Sequence, residues 1–488
     1  MANERTDATI EVQREEERIE ARSAVFKKEL GLWDLVLTQI LFIVGLGWVG
    51  AAAKLGQAHI VFWLVAIALF YIPSAVVVVY LNRLMPLEGG LYQWAKLGFN
   101  EFIGFLVAWN LWLFVIVLTS EIGLQVATYL SYALGEANAW MASSKWFIAL
   151  VGGLVIGLLV LLSTLGLGVG KWVHNAGGVM MLVIFGALIA LPILNLAQGN
   201  ITEYHPLTPA MPAISLLSLN LLGKMGFGAL GGFEYMAILA GECREPVQTI
   251  RRSVIFAAPV IALMFIFGTS SVLSLVDPEK IDLIGPIPQV LSIGFRPFGI
   301  AAQIVPIAIL TILFLRVAQA SVQFTANARL PMVAGWDRLL PQWFTRLHPT
   351  RKTPINSILF VGAVTLAIGL AGLIGVGEQE AFQILQNAAG IFYALTYLVM
   401  FALPIVGLRG FRERPPLWVI TTSLSGFLMT LLYVVLSVFP IINVENPLLF
   451  TAKVSGVIIV ANVLGAAIFL LASRRKSHTV AVEPVVQE

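Results

Sequence analysis

The sequence predicts an all-α integral membrane protein with twelve transmembrane helices. They form two inverted five-helix repeats in which helices 1 and 6 are discontinuous, followed by two peripheral helices. Three observations predict this. Of the 488 residues, 58% are hydrophobic and 12% charged, against roughly 25% charged in a soluble domain, and the mean hydropathy is +0.89. Apolar runs of the ~20 residues needed to cross ~30 Å of hydrocarbon recur twelve times along the chain. Glycine clusters interrupt the first and sixth of these runs near their middles.

The runs lie near Leu32–Leu55, Ile60–Leu81, Phe102–Leu130, Trp146–Leu165, Trp172–Leu194, Ile214–Ala240, Val254–Val276, Phe298–Ala326, Pro354–Ile374, Ala381–Leu408, Leu417–Phe439 and Leu448–Ala472. They divide the chain into a cytosolic N-terminal segment (1–30), a first repeat (31–196), a second repeat (197–410), peripheral helices 11 and 12 (411–473) and a disordered cytosolic tail (474–488). The opening run EVQREEERIEAR spaces Glu and Arg as a helix would, and reads as a solvated or frayed cytosolic helix. It is not the basic start and short apolar core of a secretory signal.

The distribution of Lys and Arg sets the orientation. Twenty-three lie on the side shared by both termini, and only Lys54, Lys145, Lys280, Arg296 and Lys453 lie on the other; Lys224 and Arg316 fall within spans. Basic loops stay in the cytosol, so both termini are expected there in a multi-pass cell-membrane protein. The basic loops then face the inner leaflet, implying contact with membrane lipids and no nucleic acid.

The first span carries Gly45, Gly47 and Gly50; the sixth carries Gly223, Gly226, Gly228, Gly231 and Gly232. Glycine is less favourable than alanine in a helix interior by about 1 kcal/mol, so each cluster predicts a helix that stops and restarts. Unwound backbone in hydrocarbon leaves polar groups unpaired, and is tolerated only inside protein or against a cavity holding water or a ligand. Two such breaks, at matching places in halves of opposite orientation, point to a site near the midplane. Other chemistry is excluded. The single Cys243 permits no intramolecular disulfide or thiolate cluster. No HExxH, P-loop, GxSxG or zinc spacing is present, so neither an enzyme nor a metal site is expected.

Four stretches carry a family resemblance: Leu30–Gly47 (LGLWDLVLTQILFIVGLG), Leu84–Trp112 (LMPLEGGLYQWAKLGFNEFIGFLVAWNLW), Gly232–Arg252 (GFEYMAILAGECREPVQTIRR) and Ala328–Pro354 (ARLPMVAGWDRLLPQWFTRLHPTRKTP). In this order and spacing the chain resembles the amino acid–polyamine–organocation (APC) transporters across all twelve spans. The resemblance implies a leucine-transporter-like fold and secondary active transport of amino acids by alternating access, as symport or exchange. It implies that backbone N–H groups at the break in span 1 hold the substrate carboxylate; here these belong to Gly45, Leu46 and Gly47. Backbone carbonyls around the breaks would hold the ammonium, and in span 6 that role and the gate fall to Phe227, Gly228, Ala229, Leu230 and Gly231. Helix ends carry about half a charge, so a zwitterion needs no charged side chain there.

Two departures matter. Leu46 stands where the family often has a hydroxyl, which keeps the backbone contact and removes a side-chain hydrogen bond. Gly228 stands near a position where relatives often place a bulky aromatic, so a roomier pocket is expected beside Phe227.

Span 6 also carries Glu234, a carboxyl inside the membrane and therefore a functional candidate. It suits a proton carrier or gate latch, or a structural hydrogen bond to span 1 or 8. In span 8, Arg316, Gln319, Gln323 and Asn327 share one helical face. The resemblance puts Gln323 near a substrate side-chain position and Arg316 in the outer vestibule, with Glu121 and Lys224 as expected neighbours. That group reads either as a charge network closing the outer gate or as a buried structural ion pair. Thr119, Ser120 and Asn387 are further pocket candidates.

No cofactor is expected beyond a coupling ion. Span 5 has Lys171 only at its cytosolic start and Met180 or Met181 where some proton-coupled relatives carry a lysine. Symport with H+ through another group, symport with Na+, and exchange all remain open. His174 and Asn175 are read as interfacial. The expected partner is an amino acid substrate, with the chain as a monomer or homodimer. The alternatives are a polyamine or organic-cation carrier, which Glu121 and Glu234 keep open, and a non-transporting membrane nutrient sensor.

Overall fold

The computed structural model describes residues 14–21, 28–134, 136–201, 209–211, 213–281, 285–372, 378–406, 414–440 and 446–482. Among these the regular structure is helical, apart from one isolated parallel bridge between Leu30 and Cys243.

A short helix, α1 (14–21), precedes a broken pair, α2 (Leu32–Ile43) and α3 (Trp48–Ala53). Next come α4 (His59–Ala66) and α5 (Ile72–Leu84), joined by a π-helical turn, Ile67–Tyr71. The loop helix α6 (Leu91–Gly98) leads to α7 (Glu101–Ser120), α8 (Ile122–Leu134), α9 (Trp140–Ser143), α10 (Lys145–Leu165) and α11 (Leu167–Ala197). The expected sixth span is divided: α12 (Leu216–Gly223), a π-helical turn Lys224–Ala229, and a four-residue α13 (Tyr235–Ile238). The chain continues through α14 (Pro246–Leu275), α15 (Pro286–Phe295), α16 (Ala301–Asn327), α17 (Leu330–Trp336), α18 (Ile355–Gly372), α19 (Glu378–Val406), α20 (Leu417–Leu436) and α21 (Pro447–Val482). Nine helical stretches of the described residues are long and apolar enough to cross a bilayer, and Leu32–Ile43 and Ile355–Ala371 are shorter apolar helices.

The broken helix α2 packs between α11, α14 and α16. Small residues let them approach closely. A Cβ on Gly178 of α11 would stand 2.6 Å from the Leu37 carbonyl, and one on Gly177 would stand 2.8 Å from Leu41. Elsewhere in the bundle, α19 packs on α7 and α20. Outward faces are apolar: Leu150, Leu154 and Leu161 on α10, and Leu424, Leu428 and Val435 on α20, are exposed. That is the surface a lipid-facing helix presents.

Two expectations at the periphery are corrected. The N-terminal helix is docked, not frayed: Ile19 is buried and Glu15 pairs with Lys96 at 3.0 Å. Residues 1–13 and 22–27 of the N-terminal segment lie outside the described residues. The stretch expected to be disordered after Arg475 continues as helix to Val482, and residues 483–488 are outside the described set. His174 is buried, with its Nε2 3.4 Å from Ser321 Oγ, and Asn175 donates to Asp34 at 2.6 Å.

Candidate functional site

A cavity of about 220 Å³ lies where both breaks meet, walled by α2, α3, the π-helical turn, α7, α16, α19 and α20. In span 1, α2 stops at Ile43 and the chain turns extended at Val44. Val44 still donates back to Ile40, and Trp48 donates to the Gly45 carbonyl at 3.2 Å. Between them, the N–H groups of Gly45, Leu46 and Gly47 take no backbone acceptor among the described residues. The carbonyl end of α2 is satisfied by one side chain. Gln319 Nε2 on α16 donates to Leu41, Phe42 and Val44 at 2.9, 3.1 and 3.4 Å. Its Oε1 accepts from Arg316 Nη1 at 3.1 Å.

In span 6 the helix widens into its π turn and ends at Leu230. Gly231 donates to Phe227 at 3.0 Å, and Gly232 donates to the Tyr397 hydroxyl at 2.7 Å. Gly232 has φ 143°, where an L side chain is strained, and its Cβ would stand 2.7 Å from Ile43 and Phe42. Gly232→Ala is therefore expected to lower the melting temperature of the purified protein sharply, since backbone strain alone contributes about 1–3 kcal/mol. An unchanged melting curve would contradict this.

The expectation of a roomy pocket at Gly228 is corrected. The space is filled from the other broken helix: a Cβ on Gly228 would lie 2.7 Å from the Trp48 ring, and one on Gly45 would lie 2.5 Å from its other edge. The aromatic group is present but arrives from span 1. Both glycines are needed because Trp48 is wedged between them.

Glu234 lies just past the break and off the cavity wall. Its carboxylate accepts from the hydroxyls of Tyr393 and Tyr397 on α19. Its partners are therefore in span 10, not in span 1 or 8. Tyr393 stands between Glu234 and the cavity, stacked on Phe114 with ring centroids 4.2 Å apart. Phe227 packs edge-on against Tyr393 and Tyr397.

The outer charged group differs from both readings. Glu121 accepts from Gln125 at 2.8 Å and from Gln386. Lys224 donates to Asn387 Oδ1 at 3.1 Å and lies 5.8 Å from the Tyr433 ring centroid. Among the described residues neither Lys224 nor Arg316 has a carboxylate within 4.0 Å. Amides, not ion pairs, connect these groups.

Of the residues singled out from sequence, Gly45, Gly47, Phe227, Gly228, Gly231, Gln323, Lys224 and Arg316 line the cavity. Leu46, Thr119, Ala229, Leu230, Glu121 and Glu234 are buried behind its wall. Asn387 lines it too, while Asn327 makes a helix contact, donating to the Trp112 carbonyl at 3.3 Å. Sequence reasoning missed Trp48, Gln386, Tyr393 and Tyr433 as wall residues, and Gln319 as the cap of α2. The signal for α19 was present: Gln383, Gln386, Asn387, Gly390, Tyr393 and Tyr397 recur at helical spacing along span 10.

A second polar cluster closes the end of the molecule where span 1 begins. Leu30 donates to Glu242 and accepts from Arg244, both at 3.0 Å, tying the approach of α2 to the exit of span 6. Arg329 pairs with Glu242 and lies 3.6 Å from Glu88, which accepts from Gly241 N–H at 2.7 Å. Burial pushes both carboxyls above the usual carboxylate range, against the pull of the guanidinium. Burial likewise pushes up the thiol of Cys243, which is 0% exposed between them. Nearby, Tyr92 donates to Asp337, and Lys96 bridges Asp337 at 2.8 Å and Glu15 of α1 at 3.0 Å.

Comparison with known proteins agrees with this architecture. A family profile described as "Amino acid permease" matches residues 30–468. An uncharacterized transporter of Legionella pneumophila is 22% identical over 78% of this chain and 81% of its own length. The b(0,+)-type amino acid transporter 1 of Oryctolagus cuniculus is 22% identical over 69% of this chain and 66% of its own. A probable agmatine/putrescine antiporter of Lactococcus lactis is 22% identical over 52% of this chain and 54% of its own. The fold is similar to the crystal structure of MhsT in complex with L-phenylalanine: TM-score 0.59, 14% identity, 84% of this chain and 98% of that one. With the profile spanning nearly every helix, the chain belongs to the amino acid permease family of the APC superfamily.

Proposed function

We propose that the protein is a secondary amino acid transporter of a cell membrane, with twelve spans in a 5+5 inverted repeat and both termini in the cytosol. The two breaks close over the substrate's head group at the midplane. The N–H groups of Gly45, Leu46 and Gly47 receive the carboxylate, and carbonyls of Phe227 to Gly231 receive the ammonium. The observation that carries this reading is the meeting of both interrupted helices at one cavity, with three N–H groups left without backbone partners. Unpaired donors in a dry interior are unfavourable by about 1–3 kcal/mol each, and a ligand carboxylate removes that penalty. Alternating access then requires the Glu88–Arg329–Glu242 cluster to open on the cytosolic side while the outer half closes.

The polyamine reading loses support at the cavity wall. Among the described lining residues the charged ones are Lys224 and Arg316, both basic; Glu121 and Glu234 are turned into amides and tyrosines.

The purified chain in liposomes, given labelled amino acids and diamines with and without sodium and at two pH values, tests the reading. Saturable amino acid uptake or exchange supports it, and the sodium and pH arms assign coupling. Binding without translocation would select the sensor. Trp48→Ala empties the space between the two breaks; it is expected to widen the range of accepted side chains while weakening uptake of the best wild-type substrate. An unchanged competition profile would remove Trp48 from the pocket.

A further inference from the structure

The cavity has a surplus of donors at one end. Arg316 donates to Gln319 Oε1 at 3.1 Å and, like Lys224, has no carboxylate within 4.0 Å among the described residues. Lys224 is the more buried of the two. Its ammonium is buried, gives one hydrogen bond to a neutral amide and faces an aromatic ring. Lysine only donates, so that bond commits Asn387 Oδ1 and turns Asn387 Nδ2 away. Asn387 Nδ2 and Arg316 Nε are both buried and unpartnered. Among the described lining residues no carboxylate stands against these donors. A buried cation beside unused donors is unfavourable until an anion arrives.

Lys224 opens the same π-helical turn that ends at the Phe227–Gly231 carbonyls. It therefore stands about one turn from the proposed head-group site, the reach of a short side chain. Resting on the amino acid transport reading, we infer that the substrate carries an acidic side chain of the aspartate or glutamate kind. Its second carboxylate pairs with Lys224 and accepts from Asn387 Nδ2. A halide ion would satisfy the same donors beside a neutral substrate, and the test separates the two sources.

The experiment is counterflow in liposomes holding the full chain, with labelled glutamate, glutamine, leucine and lysine, in chloride and in gluconate buffer. Glutamate or aspartate is expected to exchange fastest in both buffers. Lys224→Gln is expected to reduce acidic exchange about ten- to a hundred-fold, the scale of a lost hydrogen bond to a charged group. It should move glutamine ahead of glutamate in the competition order, and Lys224→Arg should restore part of the acidic exchange. The melting curve of the purified variant serves as the folding control. If Lys224→Gln carries nothing, the wild-type competition profile decides: acidic competitors ahead of their amides and of lysine support the inference, and the reverse order overturns it. Preference for lysine or a neutral amino acid, acidic exchange unaffected by Lys224→Gln, or neutral exchange that requires chloride would overturn it and leave amino acid transport standing. No exchange of any amino acid would overturn both.

Discussion

Gln319→Leu is expected to leave a chain that inserts and folds but transports at no more than about a hundredth of the wild-type rate. The one amide Nε2 serves the Leu41, Phe42 and Val44 carbonyls where α2 stops. Leaving a buried acceptor unpaired is unfavourable by about 1–3 kcal/mol. The chain has two ways to recover. It can wind Val44 to Gly47 back into helix, or tilt α2 until its carbonyls find other donors. Either response removes the free N–H groups that the proposed site depends on. A preference of about 2.7 kcal/mol for the closed-up backbone makes the competent state about a hundred-fold rarer. Arg316 would also lose the acceptor that positions its guanidinium. Gln319→Glu keeps the size but removes the donor, and is expected to fail as badly. Liposome uptake, read beside a melting curve, distinguishes lost function from lost fold. Wild-type uptake by the leucine variant would show that the cap is dispensable.

The breaks themselves were legible because glycine clusters at mid-membrane depth have few physical explanations. Gly45, Gly47, Gly228 and Gly231 do line the cavity. The partners of each break were not legible, because they come from spans distant in sequence. Helical spacing placed Gln319 on the polar face of span 8, but a periodic pattern gives direction and not reach. That this one residue answers three carbonyls depends on how far α11 and α16 let α2 approach. The same limit explains the missing ion pairs. Glu121, Lys224 and Arg316 point into one region, yet amides from α8, α16 and α19 come between them. Gly228 misled for a related reason: reading one helix at a time cannot reveal that Trp48 fills its neighbour's empty space. The N-terminal segment looked solvated because its charges outnumber its apolar residues. Burial of Ile19 and the reach of Lys96 to Glu15 decide the matter instead.

Arg329→Gln is expected to unlock the opposite end of the molecule, and Cys243 reports it. Glu88 and Glu242 are both buried and share one guanidinium. Removing one partner of a buried pair is destabilising by about 3–5 kcal/mol, and here it leaves two carboxyls facing each other. Cys243 is the only cysteine in the chain. It is fully covered and held as the unreactive thiol. A water-soluble maleimide should therefore label the wild type slowly and the variant about ten- to seventy-fold faster, if half of the lost energy shifts the closed-to-open balance. The same cluster makes closure depend on pH. Burial raises both carboxyls in the closed state, whereas in an open, hydrated state they return to the ordinary carboxylate range of about 4.3. Between the ordinary and the raised values the closed state holds more protons. Closure is then fully present below that window and weakens as the pH rises through it. Cys243 labelling, normalised to an unstructured thiol, should climb with pH across the window, and Glu88→Gln should flatten the climb by removing one of the titrating groups. Labelling that is fast in the wild type, or independent of both Arg329 and pH, would mean that this cluster does not hold its end of the molecule shut.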